Sequence, residues 1–133
     1  MNHISAEYQV LIQEAKPLAV LIQRSEYLTT GYVGSALITK AGNIYKGVSI
    51  DAACGVGFCG EHSAIAQMLT NNESQIKAIV AINHLGNIVP PCGRCREMIH
   101  QANDENLNTQ VILKDSVVKL SELLPIQWQN NWK

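Results

Sequence analysis

The stretch that decides the fold reads IKAIVAI, at residues 76–82. Seven residues that are almost all apolar, several of them β-branched, are typical of a strand buried on both faces. The stretch before it has helical spacing up to the turn at 71–72, with its apolar side made of Ala64, Ile65, Met68 and Leu69. The stretch after it predicts another helix from Pro91, a residue suited to the first helical position. A strand between two helices favours a mixed sheet covered by helices on both faces.

The flanking sequence extends this order of elements in both directions. Helical spacing starts after Ser5, a plausible N-cap, and continues to Ile22, with a kink expected where Pro17 follows Lys16. Residues 32–39 and 44–50 read as two strands joined by the turn 40–43, and so predict a hairpin. Two more strands are predicted at 110–113 and 117–120. The predicted class is therefore α/β, in one domain that spans residues 1–133.

Composition and charge exclude several classes of protein. The chain has 133 residues, with ten Lys and Arg against eleven Asp and Glu. That balance provides no basic surface for a nucleic-acid polymer. The apolar run 17–22 is too short to span a membrane. Because the start of the sequence shows neither a basic region nor a cleavage site, we expect no signal peptide and a cytoplasmic location.

Three of the four cysteines have the spacing of metal ligands. Cys92 and Cys95 form a Cys-x-x-Cys pair on the first turn of one predicted helix, and Cys59 opens another. Residues three apart share a helix face, and helix N-termini favour thiolates, so three sulfurs can meet at one ion. Three thiolates suit Zn²⁺ and leave its fourth position to water, as in a catalytic site. The expected cofactor is thus one Zn²⁺ per subunit.

Less specific explanations of these cysteines remain open. The four thiols could pair as disulfides, although a reducing compartment disfavours this. They could also be reduced core thiols, or hold a structural zinc completed by His62, His84 or His100. Cys54 is interpreted as a small buried hydrophobic residue rather than a ligand.

Glu61 distinguishes a catalytic zinc from a structural one. It lies two residues after Cys59, where a carboxylate can take a proton from water at the metal and pass it on. Cys-x-Glu followed by Pro-Cys-x-x-Cys is the pattern of zinc-dependent nucleobase deaminases, in which zinc-bound hydroxide attacks the ring. A non-catalytic interaction domain has no need of this glutamate.

The sequence resembles a known family at these motifs. Cys-Gly-Glu at 59–61 and Pro-Cys-Gly-Arg-Cys-Arg at 91–96 are similar to the signatures of cytidine deaminase and its relative blasticidin S deaminase. The stretches 33–37, 42–47 and 121–125 also have counterparts there, in the same order. The resemblance implies a three-layer α/β/α sandwich with a five-stranded mixed sheet. It also implies a small-molecule cytosine nucleoside as substrate, and a homotetramer whose subunits share sites.

The resemblance also assigns residues around the substrate. The family's ribose-binding Asn and Glu correspond to Ser49 and Asp51, and the backbone near Gly60 and Pro90 would hold the polar edge of the ring. The family's base-stacking Phe corresponds to Gly31, with Tyr32 displaced by one. Compensation of the thiolate charge would fall to Arg94 and His62.

Three classes of function follow from this interpretation. The first is hydrolytic deamination of cytidine or deoxycytidine, with blasticidin S as the alternative substrate. Arg94 and the tail 126–133, which contains Trp128 and Trp132, favour that alternative. The second is editing of a polynucleotide, which the near-neutral charge disfavours. The third is a zinc-stabilised interaction domain. The close pair of tryptophans in the tail predicts contact with another subunit or with the mouth of a site, and packing on the chain's own sheet is the alternative.

Overall fold

The computed structural model describes residues 4–131, so Trp132 lies outside the described residues. Four α-helices are present in this range: α1 (Ala6–Ala15), α2 (Gly60–Thr70), α3 (Gly93–Ala102) and α4 (Leu120–Leu123). The strands are β1 (Ile22–Ser25), β2 (Leu28–Thr39), β3 (Ile44–Ala52), β4 (Ile76–Asn83), β5 (Gln110–Ile112) and β6 (Val117–Lys119). Short 3₁₀ helices follow α1 and α3, and another lies at Trp128–Asn131.

The strands form one mixed sheet in which β2 occupies a central place. β2 pairs antiparallel with β1, β3 and β4, whereas β4 and β5 pair in parallel. Because residues 34–38 of β2 pair with both β3 and β4, those two strands flank it, and β1 lies beside its first residues. The predicted five strands are therefore present, and the short β1 is a sixth.

Helices cover both faces of the sheet, as predicted. One face packs against α1, around a core that contains Leu11, Ala15, Ala36, Val80 and Ile82. The other face packs against α2 and α3, around a core that contains Leu37, Ile65, Met68, Ile79 and Ile99. Alternating side chains of β4 enter the two cores, which explains why residues 78–82 are all apolar.

Two boundaries differ from the sequence prediction. Helix α1 ends at Ala15, a 3₁₀ turn takes up Pro17, and Ile22 begins a strand rather than ending a helix. The proline ring prevents α1 from continuing, and β1 forms by pairing with β2. Helix α3 begins at Gly93, with Cys92 as its N-cap, so Pro91 lies just outside the helix.

The topology brings the starts of α2 and α3 to the same edge of the sheet. Each helix follows a loop, at residues 53–59 and 84–92 respectively, and each begins directly after a cysteine. Within residues 4–131, no helix is long and apolar enough to cross a lipid bilayer.

Candidate functional site

The three predicted ligand cysteines meet between α2 and α3. Their Sγ atoms all lie within 4.8 Å of one another. The Cys92 sulfur is 3.5 Å from that of Cys59 and 3.5 Å from that of Cys95. Cys59 and Cys92 are the N-cap residues of their helices, yet neither side chain caps its helix. Both sulfurs are therefore available to an ion.

The geometry of this cluster fits a tetrahedral zinc ion. Thiolates about 2.3 Å from Zn²⁺ in a tetrahedron are about 3.8 Å from one another, close to the spacing found here. All three donors are sulfur, which selects against magnesium and calcium. Within residues 4–131, no histidine nitrogen joins the group. The described residues thus provide three protein donors, without the fourth protein ligand of a closed structural site.

The surroundings shift the pKa values of the three thiols in different directions. Burial raises the pKa of the Cys95 and Cys59 thiols, and the nearby Glu61 carboxylate raises both further. Burial acts the same way on Cys92, but hydrogen bonds from the Cys95 backbone, from the Cys59 and Cys95 thiols and from the Arg94 backbone together outweigh it, and the Cys92 pKa is lowered. Because Cys95 is fully buried, its thiolate needs a cation beside it.

Glu61 is on the first turn of α2 and borders the same cleft as Cys59 and Cys92. Its side chain is buried, with 4% of the residue exposed. Burial raises the pKa of its carboxyl group, against an opposing hydrogen bond from its own backbone N–H. A carboxyl group with a raised pKa can both accept and release a proton near neutral pH.

Two residues stand where positive charge was expected. Arg94 lies between Cys92 and Cys95 in the sequence. Its side chain is exposed and borders the cleft. His62 is buried and stacks on Phe58, with 6.4 Å between ring centroids. Burial and the Arg94 charge lower the pKa of His62, which favours a neutral imidazole. Arg94 is therefore the better placed of the two to compensate the thiolates.

A cleft of about 500 Å³ opens in front of the cysteines. Ser49, Asp51 and Pro90, three of the residues predicted to contact substrate, line it. Gly60 is buried and does not line the cleft. It packs closely against β2, where a Cβ atom would lie 3.1 Å from the Val33 carbonyl oxygen. Cys54 also lines the cleft and is exposed, contrary to the prediction that it is buried.

The cleft has an aromatic wall at Tyr32, the residue expected beside the base-stacking position at Gly31. Tyr32 lines it, and its ring meets that of His84 edge-on, with centroids 5.2 Å apart. Position 31 cannot hold an aromatic residue, because Gly31 has a φ of +94° and a Cβ would lie 1.9 Å from the Val20 carbonyl oxygen. The one-residue displacement is thus required by the backbone.

Arg96 is a second residue whose role only the structure reveals. Its Nε donates to the Pro91 carbonyl oxygen at 2.8 Å, and its Nη1 donates to that of Leu123 at 3.1 Å. These bonds hold the loop before α3 against the end of α4. The motif contained this arginine, but nothing in the sequence identified its distant acceptor.

The comparison with protein families gives one match across most of the chain. The family described as the cytidine and deoxycytidylate deaminase zinc-binding region matches residues 7–111. The matched region contains all three cysteines and Glu61.

Individual proteins are similar over most of their length. A blasticidin-S deaminase of Bacillus cereus is 32% identical over 111 residues, which cover 75% of this chain and 79% of the relative. A cytidine deaminase of Halalkalibacterium halodurans is 31% identical over 127 residues, which cover 88% of this chain and 90% of the relative. The fold is similar to that of the Mycobacterium leprae cytidine deaminase, with a TM-score of 0.75 and 22% identity over 92% of this chain and 100% of the other.

Proposed function

The chain belongs to the family of cytidine and deoxycytidylate deaminases, which are zinc-dependent hydrolases of C–N bonds, and we propose that it deaminates a free cytosine nucleoside. The observation that carries this proposal is the shared cleft. The Cys59 and Cys92 sulfurs and a buried carboxyl group with a raised pKa border one cavity large enough for a small ligand. The sulfur of the buried Cys95 lies within 4.8 Å of the other two and completes a set suited to zinc.

The proposed reaction converts cytidine and water into uridine and ammonia. Zinc bound to Cys59, Cys92 and Cys95 would make a water molecule more acidic and so supply the nucleophile. Glu61 would accept the proton of that water and deliver it to N3 of the cytosine ring. A second transfer to the amino group would let ammonia leave.

Other residues of the cleft would bind the substrate. We propose that the Pro90 carbonyl group and the backbone beside Gly60 contact the polar edge of the ring. Asp51, whose side chain is exposed in the cleft, would accept a hydrogen bond from a sugar hydroxyl group. Arg94 would offset the negative charge of the thiolates.

A substrate panel tests this function. Purified zinc-loaded protein is incubated with cytidine, deoxycytidine and blasticidin S at one pH, and ammonia is measured. We expect both nucleosides to react with similar efficiency, because Asp51 is shorter than the Glu it replaces and the Ser49 oxygen already accepts the Val33 N–H. A preference of several hundredfold for cytidine would show that the sugar is recognised strongly, and a preference for blasticidin S would overturn the proposed substrate.

We also propose that the chain works as a homotetramer in the cytoplasm, where its thiols stay reduced. Large apolar side chains are exposed on loops beside the cleft, at Val56 and Leu85, and on the C-terminal segment, at Ile126 and Trp128. A subunit interface would cover exposed apolar side chains of this size. Light scattering at micromolar concentration should give the mass of four chains, and a monomer would contradict the proposal.

A further inference from the structure

Strand β2 is irregular where it borders the cleft. Thr30 pairs with Ile50 and Gly34 pairs with Val48, so three residues of β2, at 31–33, stand opposite the single residue Ser49. Such a bulge interrupts the regular backbone hydrogen bonds and turns side chains in new directions. Here it carries Tyr32 and Val33, which both line the cleft.

Ser49 supplies a hydrogen bond inside this bulge. The Val33 backbone N–H donates to the Ser49 Oγ at 2.9 Å, so a side-chain oxygen takes the place of a backbone acceptor. Ser49 is buried, with 7% of the residue exposed. A buried N–H group without an acceptor is costly, so this bond helps to fix the conformation of the bulge.

The residues around Ser49 connect the bulge to the catalytic helix. The Val33 carbonyl oxygen faces Gly60, the residue before Glu61, closely enough that a Cβ there would lie 3.1 Å away. On the other side of Val33, the Tyr32 carbonyl oxygen accepts a bond from the His84 N–H at 2.8 Å. The backbone of residues 32–33 therefore lies between the cleft wall and the start of α2.

We propose that Ser49 is a positioning residue, which holds the β2 bulge in place, rather than a residue that recognises the sugar. The Ser49 Oγ already accepts the Val33 N–H. Loss of this oxygen would therefore displace Tyr32 and Val33, which line the cleft for any substrate. The inference rests on the proposed deaminase function, and it assigns recognition of the sugar hydroxyl groups to Asp51.

The test compares three nucleosides that differ only in their sugar hydroxyl groups: cytidine, 2′-deoxycytidine and 2′,3′-dideoxycytidine. For Ser49→Ala we expect kcat/KM to fall by the same factor for all three, about fivefold to tenfold for one lost hydrogen bond. Ser49→Thr, which keeps the hydroxyl group, should restore all three values. A loss confined to cytidine and 2′-deoxycytidine, with the dideoxy compound spared, would overturn the proposal.

A second measurement does not depend on activity. Hydrogen exchange of the Val33 amide is followed by NMR on ¹⁵N-labelled, zinc-loaded protein. We expect exchange to be about fivefold to tenfold faster in Ser49→Ala and near wild type in Ser49→Thr. An unchanged rate in Ser49→Ala would refute the positioning role of Ser49, even if no nucleoside reacts. Because exchange is measured without substrate, it separates failure of this role from failure of the proposed function.

Ser63 provides the matched control. Its Oγ donates to the Val48 carbonyl oxygen at 2.8 Å, so it too bonds to β3, but it does not line the cleft. Ser63→Ala should leave the Val33 exchange rate and the ratios among the three nucleosides as in the wild type. Acceleration at Val33 as large as in Ser49→Ala would mean that general loosening of β3, rather than the Ser49 bond, is being measured.

Discussion

Burial changes the acidity of two neighbouring side chains, Glu61 and Cys95. Both are almost completely buried and close together, and burial raises the pKa of each acid. Two negative charges so placed are unfavourable without a cation. A zinc ion among the three sulfurs would remove that cost.

Glu73 illustrates the opposite effect on a carboxylate, far from the cysteines. Its Oε2 accepts hydrogen bonds from the Tyr45 hydroxyl group at 2.5 Å and the Asn43 side chain at 2.9 Å. The Tyr45 bond is the largest cause of the lowered pKa of Glu73. The carboxylate thereby ties the β2–β3 turn to the loop before β4.

A lowered pKa predicts how this contribution depends on pH. The stabilisation is complete above the unfolded value, near 4.5, and disappears as the pH falls through the lower folded value. Glu73→Gln should therefore lower the free energy of unfolding at pH 7, and the difference from wild type should shrink below about pH 4.5. Urea unfolding at both pH values measures this, with the exposed Glu26→Gln as control. A difference that grows on acidification would contradict the assignment.

The residues of the candidate site could be predicted from the sequence where their spacing along the chain is characteristic. Cys59, Glu61, Cys92 and Cys95 were predicted as one group. The structure brings the three sulfurs within 4.8 Å of one another, and Cys59, Cys92 and Glu61 line one cleft. The partners of Ser49 and Arg96 could not be predicted, because each bonds to a backbone group many residues away. No local pattern contains that information.

The contact between α2 and β3 determines where α2 lies relative to the sheet. A Cβ atom on Gly47 would be 2.2 Å from the Ser63 Cβ and 2.5 Å from the Ala64 nitrogen. Only glycine allows the helix to approach the strand this closely. The helix carries Glu61 on its first turn and begins after Cys59, so this contact sets the distance of both from the sheet.

Gly47→Ala should therefore disturb both stability and metal binding. Overpacking at this contact is expected to cost about 1–3 kcal/mol of unfolding free energy and to weaken zinc retention against a chelator. Gly55→Ala is the control, because a Cβ there meets no atom within 4 Å. Wild-type stability and zinc affinity in Gly47→Ala would show that the helix tolerates displacement.

Element prediction succeeded where apolar periodicity was strong and failed where tertiary pairing decides. Helix α2, the β2–β3 hairpin and β4 follow from local pattern and were predicted. Strand β1 was missed because its four residues are all exposed and form a strand only through pairing with β2. The proline before α3 resembled a helix start, but the helix begins two residues later.

Zinc would connect the starts of two helices that also share one hydrophobic core. The cysteine cluster lies between the start of α2 and the start of α3, and the buried Cys95 is one of its three members. Loss of the metal would leave a buried thiol beside Glu61 and release one helix start from the other. The whole molecule should thus depend on zinc for stability.

Chelation tests this dependence. At free zinc 1,000-fold above its dissociation constant, binding stabilises the folded state by about 4 kcal/mol, so removal should lower Tm by on the order of 10 °C. Cys95→Ser should lose this response, whereas Cys54→Ser, at a cysteine outside the cluster, should keep it. A Tm unaffected by chelation would contradict a structural contribution of the metal.

The most direct measurement is ammonia release from cytidine by zinc-loaded wild type and Glu61→Gln, with metal content determined on the same samples. Both proteins should hold one zinc per chain. The wild type should release one ammonia for each uridine formed, and the variant should be slower by at least about 100-fold, because a positioned proton carrier contributes at least that factor. Near-wild-type turnover in Glu61→Gln, or no ammonia from the wild type, would contradict a zinc and glutamate deaminase.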